Sequence, residues 1–252
     1  MDLENKYGTL EIQKECVSLL KEFHSFCVSN GIVYSIAYGT LLGAVRHKGF
    51  IPWDDDVDVI VDRDNYQKIL QSIGSYPALK IERITQNTLW TDRVTMSESR
   101  YTGSYYPTLD IFLLDNVPDN QIVAKFKLFL IYALQGMIKY HLSLKKGSAI
   151  MKFFSLVTWL MGRPFSHKVK YNWYQKVSCW GDGKDTKNTE CYNTLFTYIH
   201  TKFPAGVLNN VQEVQFEDAT VLAMTNYDGF LKAQYGDYMT PPKDKAPSHM
   251  KA

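Results

Sequence analysis

The sequence has few of the features that mark secreted, disulfide-bonded or membrane-spanning proteins. Its four cysteines, Cys16, Cys27, Cys179 and Cys191, form no C-x-x-C pair, and so sparse a set favours a reducing compartment over a disulfide framework. The amino terminus is acidic where a signal peptide would be basic and then apolar. The most apolar stretch, 128–138, is shorter than the roughly 20 residues that span a bilayer. We therefore expect a cytoplasmic protein without a transmembrane helix.

A strong charge of one sign is also missing. The formal net charge is only +2, whereas nucleic-acid-binding domains carry clustered Lys and Arg, so we expect no nucleic-acid partner. The chain is 45% apolar and 21% charged, a balance typical of globular proteins. Its 252 residues can bury a proper core, either as one large domain or as a core with an extension.

The pattern of apolar residues predicts a mixed first half followed by helices. Apolar positions at helical spacing and turn residues between alternating segments define the elements. We predict helices over 10–30, 40–46 and 63–73, strands over 32–37, 56–61, 79–84, 89–96 and 108–114, and helical structure over 122–180. Asp62 is placed to cap the helix that starts at residue 63. This order fits an α/β or α+β fold. We divide it into a core (1–120), a helical subdomain (121–210) and a C-terminal segment (211–252) that packs back on the core and ends in a loose tail.

Paired acids stand out in the segment Pro52-Trp53-Asp54-Asp55-Asp56-Val57-Asp58-Val59. Side chains alternate along a strand, so Asp56 and Asp58 should project from one face while the intervening valines face the core. Two adjacent carboxylates repel each other unless water or a cation lies between them. Hard oxygen ligands favour Mg²⁺, or Mn²⁺, over Zn²⁺. The alternative is a solvated acidic turn that binds no ion.

Asp110 lies within the apolar strand Thr108-Leu109-Asp110-Ile111-Phe112-Leu113, where an unpaired charge is unfavourable. If this strand neighbours the first, Asp110 would complete the metal site or accept a proton from an attacking hydroxyl. The alternative is a salt bridge to a core arginine such as Arg93.

A carboxylate-bound Mg²⁺ indicates a phosphorylated substrate, because this ion is usually shared with phosphate oxygens. The helix opened by Gly39 and Thr40 could hold a diphosphate at its amino end, although an ordinary turn explains Gly-Thr equally well. Arg46, His47 and Lys48 would add donors.

The segments Tyr38–His47 and Phe50–Asp58, read together, resemble the signature of the LicD-type phosphocholine transferase family, which is related to fukutin-related proteins. Weaker matches are 109–118 and 235–242. The resemblance implies an α+β, nucleotidyltransferase-like mixed sheet with flanking helices and a helical insertion. It also implies transfer of phosphocholine from CDP-choline, or of a related alcohol from its CDP derivative, to a sugar of a cell-surface glycan or teichoic acid precursor, with release of CMP.

Carried over residue by residue, the resemblance assigns Asp56, Asp58 and Asp110 as catalytic and metal-binding. Arg93 stands where many relatives have Lys. The predicted substrate-binding residues are Gly39, Thr40, Arg46, His47, Lys48, Trp53, Asp54 and Arg93. A quaternary ammonium group needs aromatic faces, for which the candidates are Trp53, Trp90, Tyr101, Tyr105 and Tyr106, although each could equally be core.

Two further patterns leave alternatives open. Lysines interleaved with apolar residues over 122–161 could lie on an anionic membrane that carries a lipid-linked acceptor, or belong to a packed subdomain with solvated lysines. Cys179, Cys191 and His200 could bind zinc, although their spacing fits no common site.

Two rival functions also remain. One is a nucleotidyltransferase that acts on a nucleoside triphosphate. The other is an inactive module that binds a nucleotide or a glycan.

Overall fold

The computed structural model describes residues 8–83, 91–98, 106–142, 147–181, 186–194, 199 and 201–240. They fall into two compact units. Unit 1 takes in the described residues of Met1–Glu82, Thr91–Leu114 and Gly206–Ala252, and unit 2 takes in Arg83 and those of Asp115–Ala205. Helices and strands are mixed, which confirms the predicted α+β class.

Unit 1 is a curled mixed sheet with helices. Its helices are α1 (Leu10–Ser29), α2 (Tyr38–His47), α3 (Arg63–Ser72), the 3-10 helix Ile73–Ser75 and α7 (Tyr227–Tyr235). Its strands are β1 (Ser35–Ile36), β2 (Val57–Asp62), β3 (Leu79–Glu82), β4 (Asp92–Met96), β5 (Leu109–Val117), β8 (Val211–Phe216) and β9 (Ala219–Met224). The main sheet has the order β1-β2-β5-β4-β3. β2 runs parallel to β5, and the other neighbours in this path are antiparallel.

Local sequence explains the elements that frame the acids. α1 buries one apolar stripe that includes Leu19, Leu20 and Phe23, as its helical spacing predicts. α3 begins where Asp62 accepts a hydrogen bond from the backbone amide of Asn65 at 2.8 Å, so the predicted N-cap is confirmed.

The predicted alternation is only partly confirmed: Asp58 is partly exposed between the buried Val57 and Val59, but Ile60 is also buried, and Asp56 lies one residue before β2. Val57, Val59 and Val61 of β2 have no exposed surface. Apolar neighbours on both sides make this strand rigid, because a slip of one residue would turn every valine outward. The predicted strand at 32–37 is shorter in the structure, where only Ser35 and Ile36 pair with β2.

Sequence reasoning missed the hairpin β8–β9. Its two strands pair from Val211↔Met224 to Phe216↔Ala219, with Glu217 and Asp218 at the turn. Glu217 has a φ of +54°, a conformation that Gly, Asn or Asp usually supplies in such turns. The turn therefore carries no sequence feature that indicates a hairpin.

Unit 2 consists of three helices and a small strand pair. They are α4 (Gln121–Ile138), α5 (Ala149–Gly162), α6 (His167–Ser178), β6 (Asn188–Cys191) and β7 (Lys202–Pro204). The predicted helical character of 122–180 is confirmed. α4 and α6 share a core of apolar and tyrosine side chains around Ile131, Leu134, Tyr171 and Tyr174. The two strands within 186–204 were not predicted.

Candidate active site

The acid cluster forms where two parallel strands lie side by side. Asp58 of β2 is directly opposite Asp110 of β5 in the strand register, so the condition under which Asp110 would join the pair is met. Asp56, Asp58 and Asp110 each offer a carboxylate oxygen, and these oxygens all lie within 4.8 Å of one another. Within the part of the chain that the structure describes, this is the one group of three or more His, Cys, Asp or Glu side chains placed to hold a metal ion.

The cluster concentrates negative charge in a partly desolvated place. Burial raises the pKa of Asp58 well above its ordinary value, and the neighbouring carboxylates of Asp56, Asp110 and Asp54 raise it further. The backbone amide of Gly39 acts in the opposite direction by donating a hydrogen bond to Asp58. Because three like charges outweigh one amide, a cation would relieve the repulsion.

Asp110 also makes the ion pair that the sequence offered as an alternative. Arg93 donates to it through Nε at 2.7 Å and through Nη2 at 3.3 Å. The two residues are opposite each other on β4 and β5. A two-pronged contact fixes the carboxylate plane, so Arg93 orients Asp110 while Asp110 stays within reach of Asp56 and Asp58. The two interpretations of Asp110 therefore coexist.

The amino end of α2 lies against the cluster. Thr40 is almost fully buried, and its Oγ1 accepts a hydrogen bond from the backbone amide of Asp58 at 2.8 Å. Tyr38, the first residue of the helix, has a φ of +44°, which is uncommon and costly for a non-glycine residue. The Tyr38 ring packs against Phe112 and Phe230 at centroid distances of 4.6 and 5.5 Å. Tertiary packing therefore holds this helix start in a strained conformation.

Gly39 allows Asp54 to approach the backbone. A Cβ at position 39 would lie 2.6 Å from Oδ2 of Asp54, which is closer than real contacts allow. The absence of a side chain at Gly39 thus keeps room for a fourth carboxylate beside the helix start. Contacts of Gly39, Thr40 and Asp54 with substrate stay predictions.

Sequence reasoning missed a polar stripe of α1 that supports the loop 48–56 between α2 and β2, which we call the acidic loop. Thr9 donates to the carbonyl of Pro52 at 2.8 Å, Gln13 donates to the carbonyl of Asp54 at 2.8 Å, and the Cys16 thiol lies 3.6 Å from the carbonyl of Asp55. These positions are spaced at i, i+4 and i+7, so they share one helix face. Burial first, and then the charge of Asp56, raises the pKa of Cys16. Polar residues on an otherwise buried stripe were the sequence feature that could have indicated this role.

The turn of the β8–β9 hairpin supports the same loop from another element. The carboxylate of Glu217 accepts from the backbone amide of Phe50 at 2.8 Å, and the Glu217 amide donates to the carbonyl of Lys48 at 2.8 Å. Phe50 also packs edge-on against Phe216 at 4.8 Å. Glu217 is therefore a further residue that positions the loop and that sequence reasoning missed.

The predicted donors Arg46, His47 and Lys48 lie at the other end of α2 from Gly39. Seven residues of helix separate Gly39 from Arg46, which is about 10 Å of axial rise. Arg46 donates through Nε to His47 and through Nη1 to the carbonyl of Tyr238, both at 2.9 Å. Burial and the charge of Arg46 lower the pKa of His47. The structure therefore does not bring these three residues together with the helix start, and their contact with substrate stays a prediction.

The aromatic candidates are only partly described. Trp53 is half-buried on the acidic loop, and Tyr106 is exposed. Trp90, Tyr101 and Tyr105 lie outside the described residues, as does His200 of the proposed zinc set. Cys191 is buried and Cys179 is partly buried, and neither forms a disulfide. Neither the choline pocket nor the zinc alternative gains support here.

The donor set fits a hard divalent cation. All three side chains offer carboxylate oxygens, the ligand type that Mg²⁺ and Mn²⁺ prefer. Asp56, Asp58 and Asp110 together could hold one such ion, because each offers an oxygen within 4.8 Å of the other two.

Comparison with known proteins agrees with this geometry. A family model described as "LicD/FKTN/FKRP, nucleotidyltransferase domain" matches residues 31–141, a span that contains the acid cluster. The lipopolysaccharide cholinephosphotransferase LicD of Haemophilus influenzae is 30% identical over 270 aligned residues, which cover 95% of each chain. Uncharacterized proteins of Rickettsia typhi and Rickettsia prowazekii are each 49% identical over 55 residues, about a fifth of this chain. Similarity to the Haemophilus protein over nearly the whole length shows that the chain belongs to the LicD family.

Proposed function

We propose that this protein transfers phosphocholine from CDP-choline to a sugar hydroxyl of a cell-surface glycan and releases CMP. The observation that carries the proposal is the convergence of Asp56, Asp58 and Asp110 at the start of α2. A relative similar over its whole length is named as a cholinephosphotransferase that acts on lipopolysaccharide. A teichoic acid precursor is a further acceptor of the same chemical kind.

Within this proposal the three aspartates hold Mg²⁺, or Mn²⁺ in its place. The ion would neutralise charge on the diphosphate oxygens of the donor. Arg93 keeps Asp110 in its orientation, and Thr40 ties the Asp58 backbone to α2. The positive end of the α2 dipole lies beside the cluster, where it would attract a negatively charged phosphate oxygen.

The proposed reaction is an in-line displacement at the choline-bearing phosphorus. The sugar oxygen forms a new bond to that phosphorus, and the bond from phosphorus to the bridging oxygen breaks, so that CMP leaves with the electron pair. The proton of the sugar hydroxyl passes to a carboxylate of the cluster, for which Asp110 is the candidate. Chemistry of this kind depends mainly on positioning and charge neutralisation, which the supported acidic loop can supply.

The choline group and the location complete the proposal. Trp53 lies on the acidic loop and directly precedes Asp54; we assign it to the trimethylammonium group, which binds aromatic faces. None of the four cysteines forms a disulfide, which suits a cytoplasmic enzyme. The acceptor could be lipid-linked.

A donor-selection assay tests this function. The purified chain is incubated with a cell-surface glycan and with CDP-choline, CDP-ethanolamine, CDP-ribitol or CTP, and CMP and pyrophosphate are measured. We expect CMP and choline-labelled glycan from CDP-choline, loss of both with EDTA, and recovery with Mg²⁺ or Mn²⁺. Pyrophosphate from CTP without CMP release would replace this function with nucleotidyl transfer. Donor binding without any product would indicate a binding module.

A further inference from the structure

Positive charge is concentrated in the helical part of the chain. Residues 121–181 contain ten Lys and Arg and no Asp or Glu. Because the whole chain has a net charge of +2, this segment carries +10 and the rest carries −8. A segment with one sign of charge over three helices attracts a surface of the opposite sign.

The same helices expose large apolar side chains. On α4, Ile122, Phe126 and Phe129 are 81%, 51% and 52% exposed and recur at i, i+4 and i+7. They share one face, opposite the face that buries Ile131 and Leu134. Apolar stripes of this kind on a water-soluble surface mark a contact with another apolar phase.

α5 continues the exposed stripe. Among its 14 residues only Thr158 and Gly162 are buried, whereas Ile150 and Phe153 are 81% and 68% exposed. The ring of Phe129 lies 5.8 Å from that of Phe154, which joins the stripe of α4 to α5. We call the exposed apolar side chains of α4 and α5, with Lys125 and Lys152 of the same helices, the apolar-basic surface.

The contacts of α4 fit a helix that lies on a membrane better than one that crosses it. By length and composition alone Gln121–Ile138 could span a bilayer, and a third of that stretch is buried in unit 2. Its Lys127 is fully buried and donates to the carbonyls of Asn116 and Trp180 at 2.7 and 2.9 Å. Gln135 donates to the carbonyl of Tyr192 at 3.1 Å. These polar contacts would be lost in hydrocarbon, where unpaired groups are costly.

Charge also argues against a second copy as the occupant. A symmetric dimer through this face would bring two positive segments together, and like charges across an interface are unfavourable. A bilayer with acidic lipids offers both the negative charge and the apolar boundary that the surface lacks.

We propose that the apolar-basic surface docks on an anionic lipid bilayer, with the stripes of α4 and α5 in the headgroup boundary and the lysines on lipid phosphates. This role goes beyond the proposed choline transfer and does not depend on it. It gives the enzyme access to an acceptor that is itself anchored in lipid.

Vesicle flotation tests the proposal on the full chain without any transferase assay. Vesicles of phosphatidylcholine alone are compared with vesicles that also contain phosphatidylglycerol. We expect flotation only with the mixed vesicles, and weaker flotation at high salt because salt screens the lysines. Phe153→Ser should weaken partitioning about tenfold, whereas Tyr106→Ser, an exposed aromatic of unit 1 (65% against 68%), should leave it unchanged.

A charge-reversed pair tests the electrostatic part. Lys125→Glu on α4 should reduce partitioning about tenfold, and Lys14→Glu, an exposed lysine of α1, should not. Melting temperatures of all variants confirm that they fold. Absence of flotation on the mixed vesicles, equal flotation on both vesicle types, or wild-type flotation of Phe153→Ser would overturn the proposal. So would resistance to carbonate extraction, which would indicate a spanning helix, or a dimer that Phe153→Ser converts to monomer, which would assign the face to a second copy.

Discussion

The two units treat a buried charge in opposite ways. In unit 2, Lys127 has no exposed surface. Its ammonium group donates hydrogen bonds to two carbonyls, and the centroid of the Tyr192 ring lies 4.5 Å from its Nζ. In unit 1, Asp58 has other carboxylates as its main electrostatic neighbours. The first charge is therefore compensated within its own unit, whereas the second is surrounded mainly by like charges. This difference is the basis of our proposal that Asp58 belongs to a cation site.

The largest effect that we predict comes from removing the charge of Asp58. Asp58→Asn should lower the rate of phosphocholine transfer about a hundred- to a thousandfold, because a group that stabilises the transition state electrostatically is lost. In EDTA the same variant should melt at a higher temperature than the wild type, because repulsion of about 1–3 kcal/mol is relieved. Initial rates and thermal unfolding measure the two effects.

Asp64→Asn, an exposed carboxylate of α3, is the matched control and should change neither quantity. The pH dependence gives a sign check on Asp58→Asn. Since the folded pKa of Asp58 is raised above its ordinary value of 3.8, its favourable contribution is complete below that pH and is lost as pH rises through the folded pKa. The variant's advantage in metal-free stability should therefore grow from acidic to neutral pH. An advantage that is independent of pH would contradict the electrostatic account.

Removing the charge of Lys127 should lower the stability of the fold, whereas removing that of Asp58 should raise it in the absence of metal. Lys127→Met keeps most of the side-chain volume but leaves the carbonyls of Asn116 and Trp180 without this donor. We expect a loss of about 1–3 kcal/mol, measured as a lower midpoint in urea unfolding. Lys125→Met, two residues away and exposed, should cost less than about 0.5 kcal/mol. If Lys127→Met were more stable than the wild type, the statement that the contacts of Lys127 stabilise unit 2 would be wrong.

Substitutions at two glycines of α2 should distinguish an effect on the stability of unit 1 from an effect on its proposed active site. A Cβ at Gly43 would lie 2.3 Å from the carbonyl oxygen of Gly49, a backbone atom that cannot turn aside, so Gly43→Ala should destabilise the fold by about 2–3 kcal/mol. At Gly39 the obstacle is the carboxylate of Asp54, which can rotate. Gly39→Ala should therefore melt within a few degrees of the wild type but transfer phosphocholine about tenfold more slowly. Equal losses of stability in both variants would count against this separation.

The sequence predicted the parts of unit 1 that depend on local pattern. Alternation placed Asp56 and Asp58 opposite the buried valines of β2, and the cap at Asp62 gave the start of α3. The neighbourhood of Asp58 and Asp110 was predicted only conditionally, because no local pattern states which strands pair. The structure shows that β2 and β5 pair and that Asp58 lies opposite Asp110 in their register.

The missed features depend on contacts between distant parts of the chain. Glu217 is 167 residues from Phe50, and its carboxylate accepts a hydrogen bond from the Phe50 backbone amide. No sequence periodicity links the two residues. The turn of β8–β9 has no Gly or Asn at Glu217, although its φ is positive. Likewise the donors at 46–48 were grouped with Gly39 by sequence proximity, whereas the length of α2 separates them.

The smallest effect that we predict tests whether the acid cluster depends on the support of α1. Gln13 is buried and donates to the carbonyls of Asp54 at 2.8 Å and Ile51 at 3.3 Å. Gln13→Ala removes both contacts and should cost about 1 kcal/mol in urea unfolding. If the loop then moves, transfer should slow about threefold and the Mg²⁺ concentration for half-maximal rate should rise.

Gln13→Glu is a more stringent test than Gln13→Ala. It keeps the volume of the side chain, but the carboxylate cannot donate a hydrogen bond to either carbonyl, and it adds a negative charge beside Asp54. We expect it to lose more activity than Gln13→Ala. Ser18→Ala, on the exposed face of the same helix, is the control and should keep the wild-type rate. If all three variants show an unchanged Mg²⁺ dependence, the polar stripe of α1 contributes to the stability of the fold only. The positions of the three aspartates would then depend on the strands and α2, and not on α1.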